Sequence, residues 1–100
     1  MSSRKVISCV GKIINYLRAN NVQFVQQKRY INCRSNNNIL MFDFYLPRFD
    51  CAINFITQSV EHQIKIDYCA VNKISLIHVK YNENIVNKLN KHFAKQYFNK

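Results

Sequence analysis

The sequence predicts an α/β (α+β) fold: a single small mixed sheet of about four strands, in the order α-β-β-β-α-β-α. Three features lead there. Apolar residues recur at helical spacing in three separate segments. Short runs rich in β-branched and aromatic residues fill the chain between them. The first three of these runs are joined by short turns, which makes them antiparallel neighbours, whereas the fourth follows a helical segment.

Residues 4–20 carry Val6, Ile7, Val10, Ile13, Ile14 and Leu17 at i, i+1, i+4, i+7, i+8 and i+11, one face of a helix. Ser2 or Ser3 is placed to cap it and Asn20-Asn21 to end it. Residues 22–33, "VQFVQQKRYINC", set Val22 and Phe24 against Gln23, and Tyr30 against Arg29. That alternation predicts a strand with its polar positions in water. "RSNNN" at 34–38 is a turn. Residues 39–46, "ILMFDFYL", are apolar on both faces, as in a central strand, and Pro47 stops them. "RFD" is a tight connection, and "CAINFIT" at 51–57 is a third strand. Residues 59–72 put Val60, Ile64, Tyr68 and Val71 on one helical face, with Ser59 as N-cap and Asn72 at the end. "ISLIHVKY" at 74–81 is a fourth strand, and a right-handed crossover places it parallel to the third. Residues 84–98 form a last helix, with Ile85, Val86, Leu89, Phe93, Tyr97 and Phe98 as its apolar stripe and Lys88, Lys91, Lys95 and Lys100 outward.

The 100 residues read as one domain over 1–100, without repeat, linker or low-complexity segment. At 48% hydrophobic with one Gly and one Pro, the chain can fill a core and has few long loops. Fifteen Lys and Arg against five Asp and Glu give a formal charge of +10. On a chain this small, that charge favours a polyanionic partner, most simply nucleic acid. The same charge could serve solubility, an acidic protein or a membrane surface. No apolar run approaches the ~20 residues of a membrane span. The N-terminal segment is amphipathic, unlike a signal peptide. These features predict an intracellular protein of the cytoplasm or nucleus, not a secreted or membrane one. Abundant Asn, Ile and Lys suit an AT-rich coding genome, such as that of a virus, a phage or an intracellular parasite.

Cys9, Cys33, Cys51 and Cys69 are spread along the chain, as are His62, His78 and His92. A structural zinc site shows ligands paired at short spacing, which none of these do. Disulfides do not suit an intracellular chain. The cysteines therefore read as small buried hydrophobes.

Asp43 stands out, because a carboxylate flanked by Phe42, Phe44, Tyr45 and Leu46 is costly to bury without a partner. Four pieces in order, "FDFYLP" at 42–47, "INFITQ" at 53–58, "KIDYC" at 65–69 and "ISLIHVKY" at 74–81, resemble the PD-(D/E)XK nuclease superfamily. The likeness is to its very-short-patch-repair-like and phage-type homing endonuclease branch. It covers residues 39–81 well and the first helix and strand more weakly. It implies a restriction-endonuclease-like core, with Asp43 as the metal-binding aspartate, a metal-dependent endonuclease chemistry, and DNA ahead of RNA as the partner. The departures matter equally. The second acid of the family falls on Asn54, the Asp-Gly pair after it on Ile56-Thr57, a first-helix Gly-Glu on Gly11-Lys12, and an Arg of the last strand on His78.

Phosphodiester hydrolysis in such a fold needs Mg²⁺ held by oxygen ligands from two adjacent strands. Asp43 and the Asn54 carbonyl still offer oxygens, with one charge fewer. Lys12 would repel a metal or take over phosphate binding. Gln63-Ile64-Lys65 has the spacing of an acid-x-Lys motif with Gln for the acid, and Glu61 could move in from the start of the helix. The candidate catalytic residues are therefore Asp43, Asn54, Glu61 and Lys65, with Asp43 the candidate metal ligand. The structural alternatives stand beside them. Glu61 in a first helical turn suits the helix dipole. Asp67 and Lys65 can be surface residues, and Asp50 a turn residue. His62 and His92 read as exposed, and His78 has no obvious partner. Asp43 itself could be a buried acid paired with a Lys or Arg.

Three functions remain open. One is a basic nucleic-acid-binding protein with a nuclease-like fold and a degenerate site. Another is an active endonuclease using Mg²⁺ at an altered site built on Asp43 with Asn54 or Glu61. The third is an interaction protein for an acidic partner. The missing acid and Lys12 favour the first. Candidate phosphate contacts are Lys12, Arg18, Lys28, Arg29, Arg34, Arg48, Lys65, Lys80, Lys88, Lys91 and Lys95. Without an added recognition domain, site specificity would need a homodimer or another partner.

Overall fold

A computed structural model describes residues 4–55, 60–80 and 84–93, with side chains from Cys9 onward. Expectations for Ser2, Ser3, Ile56-Thr57, Ser59, Tyr81, Lys95, Tyr97, Phe98 and Lys100 lie outside these residues. The elements are α1 (Arg4–Ala19), β1 (Val25–Ser35), β2 (Asn38–Leu46), a 3-10 turn (Pro47–Phe49), β3 (Cys51–Phe55), α2 (Val60–Val71), β4 (Ser75–Val79) and α3 (Ile85–Phe93). This is the expected order, α-β-β-β-α-β-α. The strands form one sheet in the order β1-β2-β3-β4. β1, β2 and β3 are antiparallel, and β4 runs parallel to β3, with Cys51 opposite Ser75 and Asn54 opposite His78.

The sheet has a layer on each face. On one, Ile13 and Leu17 of α1 and Ile85, Leu89 and Phe93 of α3 pack on Phe44, Leu46, Ile53, Ile77 and Val79. Tyr16 ties these two helices by donating to Asn90 Oδ1 at 2.8 Å. On the other face, α2 brings Cys69, Ile64 and Tyr68 against Cys33, Leu40, Phe42 and Ala52. β3 is buried at every position, because helices cover both its faces and strands both its edges.

Two helices end in the same way. Asn20 Nδ2 donates to the Tyr16 carbonyl, Asn21 turns left-handed at φ 56°, and Val22 N donates to Leu17 O at 2.8 Å. Asn72, Lys73 at φ 58° and Ile74 repeat the pattern on Tyr68 and Cys69. In each, the apolar residue after the left-handed one folds back over the helix end. This explains why β1 begins at Val25 rather than at 22: Val22 is buried closing α1. The turn expected over 34–38 narrows to Asn36-Asn37, with Asn36 at φ 59° and Ser35 already paired with Asn38.

The alternation expected in β1 breaks. Its register against β2 runs regularly through Arg29 opposite Met41 and resumes with Arg34 opposite Ile39, so residues 30–33 stand against Leu40 alone. Such a bulge bends an edge strand and discourages further pairing along it. Phe42 packs on the α2 side while Phe44 packs on the α1/α3 side. Residues two apart on a regular strand share a face, so β2 changes faces at Asp43. All four cysteines are buried free thiols. Burial pushes the thiols of Cys51 and Cys69 up to about 12 and about 11, as expected of small core residues rather than nucleophiles.

Candidate functional site

The β2–β3 ladder runs from Leu46 opposite Cys51 to Phe44 opposite Ile53 and stops there. The next step would set Asp43 against Asn54. The side chains of these two residues take the place of the ladder. Asp43 Oδ2 accepts a hydrogen bond from the Phe55 backbone N–H at 2.9 Å, and Asn54 Nδ2 donates to the Phe55 carbonyl at 3.2 Å. Both backbone groups of Phe55 thus have side-chain partners where the strands part.

Asn54 is 2 % exposed and is the sole buried polar residue among those described. Its remaining oxygen, Oδ1, accepts from Lys65 Nζ at 3.2 Å. Lys65 rises from α2, half-buried, with its ammonium 5.4 Å from the Phe42 ring centroid. Burial raises the Asp43 pKa above its ordinary value. The Phe55 N–H bond and the Lys65 charge act the other way without cancelling it. Asp43, Asn54 and Lys65 therefore gather at one point on the α2 face of the sheet.

The other candidates fall elsewhere. Glu61 is exposed in the first turn of α2 and makes no hydrogen bond to this cluster among the described residues. Gln63 donates to Asp67 Oδ1 at 2.9 Å on the outer surface of α2. Positions i and i+2 of a helix do not share a face, so Gln63 cannot join Lys65 as an acid surrogate. Asp50 is the expected turn residue, left-handed at φ 47°, and accepts from the Tyr45 hydroxyl at 2.7 Å.

Two histidines belong to this face: His78, read from the sequence as having no obvious partner, and His62, read as exposed. His78 of β4 lies beside Asn54 in the parallel register. Its ring meets that of His62 with centroids 5.0 Å apart. His62 is half-buried rather than exposed, because it lies three residues before Lys65 on the same side of α2. Burial chiefly, then His62 and Lys88, hold the His78 pKa below the usual imidazole value. His92 is likewise half-buried rather than exposed, and burial and Lys88 lower its pKa.

The oxygens at Asp43 and Asn54 do not suit a Mg²⁺ ion as arranged. Of the two strand-borne ligands, the amide oxygen already faces an ammonium group. Two unit positive charges about 4 Å apart repel by roughly 4 kcal/mol at the effective dielectric of a protein surface, and a divalent ion doubles this. Among the described residues no group of three or more His, Cys, Asp and Glu is placed to hold a metal. No family model matches the chain, and no curated protein matches it. No described helix is long and apolar enough to cross a membrane.

The candidate phosphate contacts separate by place. Lys12 of α1 lines a recess of about 360 Å³ with Asn84, Ile85, Val86 and Asn87. Asn84 and Asn87 also line an adjoining recess of about 350 Å³ with Lys88 and Lys91. Lys12 thus lies in a recess between α1 and the start of α3, and Lys88 and Lys91 in an adjoining recess along α3, with Asn84 and Asn87 lining both. Asn84 caps α3 by accepting from Asn87 N at 3.0 Å. Elsewhere, Lys28 lies 5.2 and 5.3 Å over the Tyr30 and Tyr45 rings, and Arg48 lies 5.4 Å over Phe49. Arg34 donates from Nε to Ile31 O at 2.7 Å. Arg18, Arg29 and Lys80 are exposed. Lys65 is turned inward to Asn54, at the centre of the fold.

Proposed function

We propose that this chain is a basic nucleic-acid-binding protein with a nuclease-like fold whose catalytic site has degenerated. On this reading it acts inside a cell, on DNA ahead of RNA, and descends from a PD-(D/E)XK nuclease of viral or phage type. The observation that carries the reading is the Lys65–Asn54 bond beside Asp43. Where that superfamily holds a divalent cation between two strand acids, this chain has one acid, one amide and a built-in ammonium. The ammonium supplies positive charge without a Lewis acid or an activated water, so the arrangement suits holding rather than cutting. The adjoining recesses that hold Lys12 and Lys88 with Lys91 offer phosphate contacts, with the Asn84 and Asn87 amides lining both.

Binding of this kind is dominated by counterion release. Fluorescence anisotropy with a short labelled duplex tests it. Log affinity should fall linearly with log salt between about 50 and 200 mM, with a slope of roughly −0.9 per phosphate neutralised. Absence of binding at the lowest salt would replace this reading with that of an interaction protein for an acidic partner.

A further inference from the structure

A further recess, of about 310 Å³, lies between β1 and α2, away from α1 and α3. Cys33, Ile64, Tyr68 and Val71 line it with apolar surface. Val71 is 80 % exposed, an apolar side chain left in water at the recess. The other lining groups are polar. Arg34 is exposed, and its Nε donates to the Ile31 carbonyl at 2.7 Å, which holds the guanidinium beside the recess. Asp67 Oδ1 accepts from Gln63, and Asn72 Nδ2 donates to the Tyr68 carbonyl. A second carboxylate oxygen and an amide oxygen remain there as acceptors. Apolar walls with a few polar groups are the form of a small-ligand site. We infer that this recess holds one unpaired base of a single-stranded nucleic acid, stacked on Tyr68 with its phosphate on Arg34.

Each part of a nucleotide meets matching chemistry. A base is flat, with apolar faces and N–H groups on its edge. Tyr68 offers a ring, braced by Tyr30 with centroids 5.3 Å apart and planes at 40°. Every base has a face that stacks on such a ring. The acceptors at Asp67 and Asn72 suit the base N–H groups, which a hydrocarbon ligand would leave unmatched. Arg34 keeps its outer guanidinium nitrogens for a phosphate. Lys28, over the Tyr30 ring, extends positive charge along the same row of tyrosines. A paired base is held inside its stack and cannot enter, so the site selects a single strand. This inference rests on the nucleic-acid reading above and adds a place for single strands, apart from the lysines assigned to duplex.

The test uses the full chain and a short DNA single strand carrying the fluorescent base 2-aminopurine, whose emission falls when it stacks. Wild type is expected to quench this emission on binding. Tyr68→Leu, which keeps an apolar side chain in the packing but removes the ring, should abolish the quenching and weaken single-strand binding about tenfold. Arg34→Gln, at an exposed position, should make the single-strand salt slope shallower by about 0.7, the share of one phosphate. Both variants should bind duplex as wild type does, which also shows that they are folded. Duplex binding by wild type without quenching of the single strand overturns this inference alone. So does quenching unchanged in Tyr68→Leu, or a salt slope unchanged in Arg34→Gln. Binding of neither single strand nor duplex overturns it together with the nucleic-acid reading.

Discussion

Replacing Lys12, Lys88 and Lys91 together by glutamine is expected to weaken duplex DNA binding by about a hundred- to a thousandfold near 0.1 M salt. Each phosphate contact contributes roughly a unit to the salt slope, so the slope should become shallower by about three. The three lysines line two recesses that share Asn84 and Asn87, which is why they should act as one surface. Lys12 and Lys91 are exposed, so their removal leaves the core untouched. Lys88 is half-buried and acts on His78 and His92. The Lys12/Lys91 double variant therefore accompanies the triple, with a loss of about two units. Arg34→Gln, beside α2 and away from α1 and α3, should change little. Salt slopes identical to wild type would place the interface elsewhere.

Asp43 is expected to divide sharply between its alanine and asparagine variants. Asp43→Ala leaves the Phe55 N–H without its acceptor, a loss of roughly 1–3 kcal/mol. For a chain of this size that lowers Tm by roughly 4–8 °C per kcal/mol. Asp43→Asn keeps an oxygen for that bond and removes a charge that burial disfavours. The folded chain holds the Asp43 proton more tightly than the unfolded chain does, because its pKa is raised. Asp43 thus adds stability below its ordinary pKa near 3.8, and that contribution is lost as pH rises through the raised value. Asp43→Asn should therefore be at least as stable as wild type at neutral pH, with the gap closing as pH falls toward 3.8. Thermal unfolding of the three proteins across pH measures this. An Asp43→Asn variant as unstable as Asp43→Ala at neutral pH would show that the carboxylate charge, through Lys65, matters more than the hydrogen bond.

The element order was legible because the local signals agreed. The i, i+3, i+4 spacing from Val10 to Leu17, Pro47 after "FDFYL", and the asparagines at 20, 36 and 72 each act within a few residues. Their effects do not wait for tertiary contacts. Asp43, Asn54 and Lys65 could be grouped in advance because adjacent strands and the following helix bring them together. What Asp43 does there could not be read, since its partner is a backbone N–H freed where the ladder happens to stop. The His62–His78 pair was missed for a similar reason. It needs both the parallel register of β3 with β4 and the rotation of α2 over the sheet, and no residue pattern fixes either. The bulge in β1 and the change of faces between Phe42 and Phe44 belong to the same class. Both answer to how the sheet bends rather than to alternation along one strand.

On the proposed function, the chain holds nucleic acid through its lysines while the Asp43 cluster performs no metal-dependent cleavage. The direct measurement incubates wild type and Asp43→Asn with supercoiled plasmid, with Mg²⁺, with Mn²⁺ and without any divalent ion. Gel retardation and nicking are followed in the same samples. The expected result is retardation of similar strength for both proteins within each condition, weaker where divalent ions compete for the phosphates, with the plasmid remaining closed and supercoiled throughout. Nicking by wild type that requires Mg²⁺ or Mn²⁺ and disappears in Asp43→Asn would contradict the account and make Asn54 a working ligand of an active nuclease.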